Sequence, residues 1–159
     1  MPLSCGAVTK TTSKGEDLLA LDRQVCFALA VASRTVIAVY RPLLEPMKLT
    51  HPQYLVMLAL WERSPRSVKD ISDALSLDPA TLSPLLKRLE ALGYVSRQRS
   101  TADERVLVVA LTAEGGALRA KAEKIPPAVV ERLGMSLGEL EDLHRSLTRV
   151  IAAASRSGS

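Results

Sequence analysis

Apolar residues recur at intervals of three and four along most of this chain, which is the periodicity of one face of an α-helix. The segment 17–40 contains neither Gly nor Pro, and its apolar positions include Leu18, Leu21, Val25, Leu29, Ala32, Val36 and Val39. This pattern predicts one long helix that ends before Pro42. Ser13 and Glu16 have the spacing of a capping box and would mark its start.

Two shorter helical segments follow. Thr50 has the properties of an N-cap residue, with a proline in the first turn behind it, and the pattern predicts a helix up to Glu62. Its predicted buried face consists of Tyr54, Leu55, Leu58 and Trp61. Ser67 then caps a short helix over residues 68–75.

A third segment carries five leucines at helical spacing between Asp78 and Gly93. Asp78 is suited to cap its start, and Gly93 to end it. Pro84 leaves two alternatives, because a proline inside a helix removes a hydrogen bond. The helix begins either at Ser83, with Pro84 in its first turn, or at Pro79, with Pro84 in its interior. The leucine face starts before Ser83, which favours Pro79.

The pattern then changes to two runs rich in Val and Arg, 94–99 and 105–111, which predict antiparallel strands joined by a turn at 100–104. Helical patterns return from Thr112 to Lys124, where Pro126-Pro127 is expected to interrupt them. They return again after a second capping box at Ser136, up to about Ala154. This order of elements predicts a mainly α fold with a small β wing, the winged helix-turn-helix.

Composition narrows the function. Apolar residues make up 47% of the 159 residues, and only five side chains are aromatic, so Leu, Val, Ala and Ile must form the core. The net charge of +4 is small, but basic residues cluster between Lys87 and Arg105, as expected for nucleic-acid binding. We find no metal-ligand cluster or cofactor-binding loop and expect neither metal nor cofactor. No uninterrupted apolar run approaches the ~20 residues that span a bilayer, which predicts a cytoplasmic protein without membrane contact.

The helix beginning at Pro79 would enter the major groove of double-stranded DNA. We expect the hydroxyl groups of Thr81 and Ser83 to bond base edges, and Ala80 and Pro84 to contact thymine methyl groups. Lys87 and Arg88 are expected to bind phosphates, which contribute affinity without sequence information.

The hairpin supplies a second contact. Its tip is expected to hold Arg97, Arg99 and Arg105, and an arginine at such a tip can enter a narrow minor groove. Asp103 lies two residues before Arg105 and is close enough to brace the Arg105 guanidinium group.

We divide the chain into a mobile tail at 1–16, a DNA-binding domain at 50–112, and a helical dimerisation region at 17–45 and 113–155. The apolar stripe of the last helix needs a partner, and the first long helix of the same or a second subunit would provide it. A homodimer on a palindromic operator follows, with half-sites about one helical turn apart.

Several stretches resemble a known family. Asp103-Glu-Arg105 in a wing after a leucine-rich helix is similar to the MarR family of transcriptional regulators. Within that family, four stretches of this chain resemble the organic hydroperoxide-sensing repressors (OhrR type). They are LDRQVCFALA at 21–30, YRPLL at 40–44, LTHPQYLVMLALWE at 49–62 and LDPATLSPLLKRLEALG at 77–93. The resemblance covers about residues 17–155.

The resemblance implies a dimeric, non-enzymatic repressor that leaves its operator when one cysteine is oxidised by an organic hydroperoxide. That cysteine corresponds to Cys26. The DNA-reading positions correspond to Arg105 in the wing and, in the helix, to Pro79, Ala80, Thr81, Ser83 and Pro84.

Tyr40 is the family tyrosine that remains here, because Ala30 and His51 occupy two positions where relatives commonly carry tyrosine. His51 can still act as a hydrogen-bond donor. Cys26 and Tyr40 are 14 residues apart, or ~21 Å along one helix, so a Tyr40 that bonds the sulfur must come from the other subunit. Since no second cysteine follows Cys26, Cys5 or a low-molecular-weight thiol would resolve the oxidised sulfur.

Two other functions stay open. In the first, a MarR-type regulator binds a small apolar or aromatic ligand, and Cys26 is a spectator. In the second, the same cysteine serves a thiol enzyme such as a peroxidase. The enzyme is disfavoured because it leaves the DNA-binding pattern unexplained.

Overall fold

The computed structural model describes residues 18–158, so Cys5, the predicted tail and the capping box at Ser13 lie outside the described residues. The described residues divide into two compact units, 18–36 and 37–158. In the first unit, a 3-10 helix at Leu21–Arg23 precedes helix α1, Val25–Leu44, which continues into the second unit.

Helix α1 differs from its prediction at both ends. Its α-helical part begins at Val25, and it continues through Pro42 to Leu44. Leu44 is fully buried, and Met47 of the following 3-10 helix Glu45–Met47 is almost fully buried. Pro42 removes one hydrogen bond from the last turn of α1. Burial of Leu44 and Met47 in the core offsets this loss of stability.

The second unit contains a helix-turn-helix formed by α2 (His51–Glu62), α3 (Val68–Leu75) and α4 (Pro79–Ala91). The predicted start signals are confirmed: Gln53 Oε1 accepts the Thr50 backbone N–H at 2.9 Å, and Ser67 Oγ accepts that of Asp70 at 3.0 Å. The predicted buried face of α2 was partly wrong. Leu58 is exposed, whereas Val56, Met57 and Leu60 are buried, because α2 is apolar on most sides and periodicity does not fix its orientation.

Helix α4 begins at Pro79 and contains Pro84, as the leucine pattern favoured. Asp78 Oδ1 accepts the Thr81 backbone N–H at 2.7 Å, and Gly93, at φ 80°, ends the helix in a left-handed conformation. A buried leucine contributes about 1.5–3 kcal/mol, and an interior proline costs about 3 kcal/mol. Three leucines therefore outweigh the proline, and they are fully or almost fully buried: Leu82, Leu86 and Leu89.

A three-stranded antiparallel sheet follows the order β1-β3-β2. The predicted hairpin is confirmed as β2 (Val95–Arg99) and β3 (Leu107–Leu111), with Val95 opposite Leu111 and Arg99 opposite Leu107. Strand β1, Arg66–Ser67, pairs with β3 and was not predicted, because two residues are too short to show a pattern. We call β2, β3 and the turn between them the wing.

The remaining helices are α5 (Ala113–Ala117), α6 (Arg119–Ala122), α7 (Ile125–Leu133) and α8 (Leu137–Ser157). The predicted interruption is confirmed: α6 ends at Ala122 and a new helix begins at Ile125, with Pro126 and Pro127 in its first turn, where proline is tolerated. The predicted single helix before it is divided into α5 and α6. Gly115 lies against the wing: a Cβ there would be 1.9 Å from the carbonyl oxygen of Tyr94.

The hydrophobic core extends beyond the helix-turn-helix and the wing. It includes side chains before residue 50 and after residue 112, namely Leu44, Met47, Leu49, Leu118, Ala122, Ile125 and Val129. Helix α8 contributes no buried residue, and its large exposed apolar side chains are Leu137, Leu143, Val150 and Ile151.

One described segment, Val25–Met47, is long and apolar enough to cross a membrane by length and composition alone. Counting only uninterrupted apolar runs missed it, because Arg34 and Arg41 divide the segment. A core helix of a soluble protein and a signal sequence meet the same criterion, so one such segment is weak evidence for a membrane span.

Candidate functional site

The predicted DNA-contacting side of α4 faces solvent. Leucine packing holds the opposite side of the helix in the core, so the remaining positions point outward. All seven predicted contact residues are exposed: Pro79, Ala80, Thr81, Ser83, Pro84, Lys87 and Arg88. The amino-terminal turns carry small and neutral side chains, and the two cations follow one turn later, an arrangement suited to base contact flanked by phosphate contact.

The turn of the wing is organised by its own side chains. Ser100 Oγ accepts the backbone N–H groups of Ala102 and Asp103 at 3.2 and 3.4 Å. Asp103 Oδ1 accepts the Arg105 backbone N–H at 3.0 Å and lies 3.5 Å from Arg105 Nε. The Arg105 side chain is 94% exposed, so Asp103 orients it without burying it.

Arg97 is not at the tip of the wing, contrary to the sequence prediction. It lies in the middle of β2, where its Nε and a terminal nitrogen donate to Glu90 Oε2 of α4 at 2.9 and 2.6 Å. These hydrogen bonds hold the pKa of Glu90 below its ordinary value. Sequence analysis missed Glu90, because an ion pair between a helix and a strand follows no fixed spacing.

Cys26 lies in the first turn of α1, and its thiol is free and exposed. Exposure makes the sulfur accessible to solvent and to small molecules.

Tyr40 and His51 contact each other in the second unit. Their ring centroids are 4.9 Å apart in an edge-on arrangement, and the Tyr54 ring lies 5.9 Å from that of Tyr40. Burial lowers the pKa of His51, so the neutral imidazole is favoured. Burial, with a smaller contribution from Tyr40, raises the pKa of Tyr54. Tyr54 was predicted only as a core residue. Its position three residues after His51 in the sequence did not indicate a ring cluster that also includes Tyr40.

Comparison with known proteins agrees with this geometry. The family model described as transcriptional regulator SarA/Rot matches residues 38–122. An organic hydroperoxide resistance transcriptional regulator of Bacillus subtilis is 42% identical over 127 residues, which are 80% of this chain and 84% of that protein. The chain belongs to the MarR family of transcriptional regulators.

Further relatives support this placement in the MarR family. The regulator TtmR of Methylorubrum extorquens is 47% identical over 124 residues, which are 78% of this chain and 64% of that relative's length. A crystal structure of overoxidized AbfR bound to DNA superposes with a TM-score of 0.70 at 32% identity, covering 84% of this chain and 94% of AbfR. AbfR has also been solved from Staphylococcus epidermidis.

Membership of the MarR family confirms the predicted winged helix-turn-helix and makes the chain a DNA-binding transcriptional regulator of the OhrR type. These homologues are regulators and not enzymes, which implies a non-enzymatic role. In this MarR-family chain, α4 is the helix predicted to enter the major groove, and we call it the recognition helix.

Proposed function

We propose that this protein is a dimeric, cytoplasmic repressor that senses organic hydroperoxides through Cys26 and then releases its operator. One observation carries the proposal: the Cys26 thiol is exposed in the first turn of α1, in a chain 42% identical to an organic hydroperoxide resistance regulator. AbfR, a related regulator, has been solved bound to DNA in an overoxidized state and in a reduced state. The two structures support redox control in that relative.

On the operator, α4 of each protomer enters the major groove, and Arg105 of each wing enters the adjacent minor groove. The exposure of the seven α4 residues and of Arg105 supports this arrangement. The exposed apolar side chains of α8 and of the first unit would be covered in the dimer, which also accounts for the apolar helix Val25–Met47.

The proposed reaction begins with the Cys26 thiolate attacking one peroxide oxygen of ROOH. The S–O bond forms as the O–O bond breaks, and the leaving alkoxide takes a proton to become ROH. Sulfur is oxidised by two electrons to a sulfenic acid, while the peroxide is reduced to an alcohol. A thiol, either Cys5 or a low-molecular-weight cellular thiol, then condenses with the sulfenic acid, forming a disulfide and releasing water.

An ordinary cysteine thiol, with a pKa near ~8.5, is mostly protonated at neutral pH, so the reaction needs groups that stabilise the thiolate. We propose that Tyr40 and His51 of the partner protomer donate to the Cys26 sulfur. Their mutual ring contact supports a joint role, and the neutral form of His51 retains one N–H donor.

Cys26→Ser tests the proposal. The variant should bind operator DNA like the parent and stay bound after one equivalent of an organic hydroperoxide, because the oxidisable sulfur is gone. Band-shift titration, with mass spectrometry of the parent at Cys26, measures both effects. Cys5→Ser, assayed with a low-molecular-weight thiol present, is the matched control and should still be released, because that thiol can resolve the oxidised Cys26. Release of the Cys26→Ser variant by peroxide would sink the proposal.

A second function is favoured by an open cavity of about 370 Å³ beside α2. Its lining combines the apolar and aromatic side chains of Tyr54, Leu58, Trp61, Ala122 and Pro126 with three charged residues, Glu62, Arg119 and Glu123. A small aromatic ligand bound there would regulate DNA binding with Cys26 as a spectator. In that case Cys26→Ser responds normally to the ligand, whereas Leu58→Arg, which places a charge in the cavity, does not respond.

A further inference from the structure

The recognition helix and the wing are joined by one ion pair at the carboxyl-terminal end of α4. Both hydrogen bonds from the Arg97 guanidinium group converge on a single carboxylate oxygen, Glu90 Oε2. The Arg97 side chain is 25% exposed and that of Glu90 39%, which makes this pair less exposed than the pairs on α3, α6 and α8.

The position of Arg97 on the sheet explains why it pairs with α4. Arg97 lies directly opposite Val109, which is fully buried, and side chains opposite each other in an antiparallel pair share a face. Along the same face of β2, Val95 is buried, Arg97 is half-buried and Arg99 is exposed. Arg97 therefore occupies the last core-facing position before the wing leaves the core.

We propose that the Glu90–Arg97 pair sets the orientation of the wing relative to the recognition helix, and that Arg97 is thereby a positioning residue for DNA binding. The inference rests on the proposed contact of Arg105 with DNA. Beyond Arg97, the last two residues of β2 are exposed, and the turn is braced by its own side chains. Strand β1 still pairs with β3 there, but among the described residues the Glu90–Arg97 pair is the outermost side-chain hydrogen bond from the wing to α4.

Stability alone does not account for this pair. Ion pairs that solvent reaches contribute little to folding, and an apolar residue at position 97 would extend the core face already formed by Val95 and Val109. An arginine that donates from two nitrogens to one carboxylate oxygen differs from an apolar side chain in fixing direction, because both N–H groups of the planar guanidinium must point at that oxygen. Alignment of two elements matters when both must enter DNA at once.

The first test measures geometry without DNA. Nitroxide labels are attached at two exposed positions, Ala91→Cys on α4 and Thr101→Cys in the turn, in a Cys5→Ser/Cys26→Ser chain. Pulsed dipolar EPR then reports the distance between helix and wing. The labelled chain is diluted with unlabelled protein so that the distance is measured within one protomer. We expect a narrow distance distribution in the parent and a broadened or shifted one with Arg97→Gln. Arg119→Gln, which removes the exposed Arg119–Glu123 pair, is the matched control and should leave the distribution unchanged.

The second test is a double-mutant cycle of Arg97→Gln and Arg105→Ala, measured as affinity for operator DNA. Arg97→Gln should weaken binding about as much as Arg105→Ala does, with a thermal unfolding midpoint within about 3 °C of the parent. The two effects should not add, because a misplaced wing no longer brings Arg105 to its groove. The charge exchange Glu90→Arg/Arg97→Glu should restore both the distance distribution and the Arg105 contribution.

An unchanged distance distribution in Arg97→Gln would overturn the inference, and so would a full Arg105→Ala penalty in that background. If Arg105→Ala costs nothing in the parent, the proposed wing contact fails. The EPR distances would still decide whether the pair orients the wing, so the two failures are distinguishable.

Discussion

The arginines of β2 and the following turn differ in what their guanidinium groups contact. Arg97 pairs with a carboxylate of α4, whereas Arg99 donates to the backbone carbonyl oxygen of Glu104 at 3.2 Å and Arg105 remains almost fully exposed beside Asp103. A sequence reader sees three equivalent cations within nine residues. Arg97 and Arg99 share one face of β2, and their distance from the core separates them: Arg97 is half-buried, whereas Arg99 at the end of the strand is exposed.

His51 allows a prediction at the same scale. Burial lowers its pKa, so near the ordinary value of ~6.5 the unfolded chain binds more protons than the folded chain. Stability should therefore fall as the pH drops through ~6.5. His51→Gln should reduce the decrease in thermal unfolding midpoint between pH 7.5 and 5.5.

Carboxylates do not obscure that test. Carboxyl groups with a lowered pKa contribute stability that is present above about pH 4.5 and is lost in more acidic solution, which lies below the pH range of this test. These groups are Asp70, Asp78, Glu90 and Glu139. An equal midpoint decrease in parent and variant would contradict the assigned role of His51 burial.

Among the elements, α4 combines buried leucines, which stabilise the fold, with an exposed proline, which destabilises the helix. Pro84 is exposed and removes a backbone N–H inside the helix. Pro84→Ala should therefore raise the free energy of unfolding by about 1–3 kcal/mol and, if the ring contacts DNA, weaken operator binding. Urea unfolding and DNA titration measure the two effects.

Pro79→Ala is the control, because Pro79 is the first residue of α4, where a backbone N–H has no helical partner. Its stability should stay close to that of the parent. A Pro84→Ala chain no more stable than the Pro79→Ala chain would show that α4 adapts to the proline at no cost.

Sequence patterns predicted elements well where capping residues and leucine spacing agreed, as in α3 and α4. They failed where packing decided the outcome. Leu44 and Met47 extend α1 past Pro42, and the orientation of α2 depends on neighbours on several sides. The candidate site divides in the same way. The solvent-facing residues of α4 follow from its periodicity, whereas the Glu90–Arg97 pair and the Tyr40–His51 contact depend on tertiary structure.

For the whole molecule, the exposed apolar stripe of α8 predicts dimerisation. Ile151 is 63% exposed, an unusual environment for so apolar a side chain when its neighbours on the stripe are also exposed. Ile151→Glu should shift the protein towards monomer in sedimentation velocity and weaken binding to a two-half-site operator more than to a single half-site.

Ala152→Glu introduces the same charge at the neighbouring exposed position, which lies off the stripe, and should leave the assembly intact. Dissociation by both variants, or by neither, would argue against the α8 stripe as a dimer contact.

The single tryptophan of the chain gives this regulator an intrinsic optical reporter. Trp61 Nε1 donates to the carbonyl oxygen of Gly115 at 2.9 Å, its ring stacks edge-on to Tyr54, and it borders the open cavity beside α2. Indole emission responds to hydrogen bonding and solvent access. Its wavelength therefore follows the docking of α5 on α2 in unlabelled protein, and stopped-flow fluorescence can time a structural response to peroxide or ligand against the release of DNA.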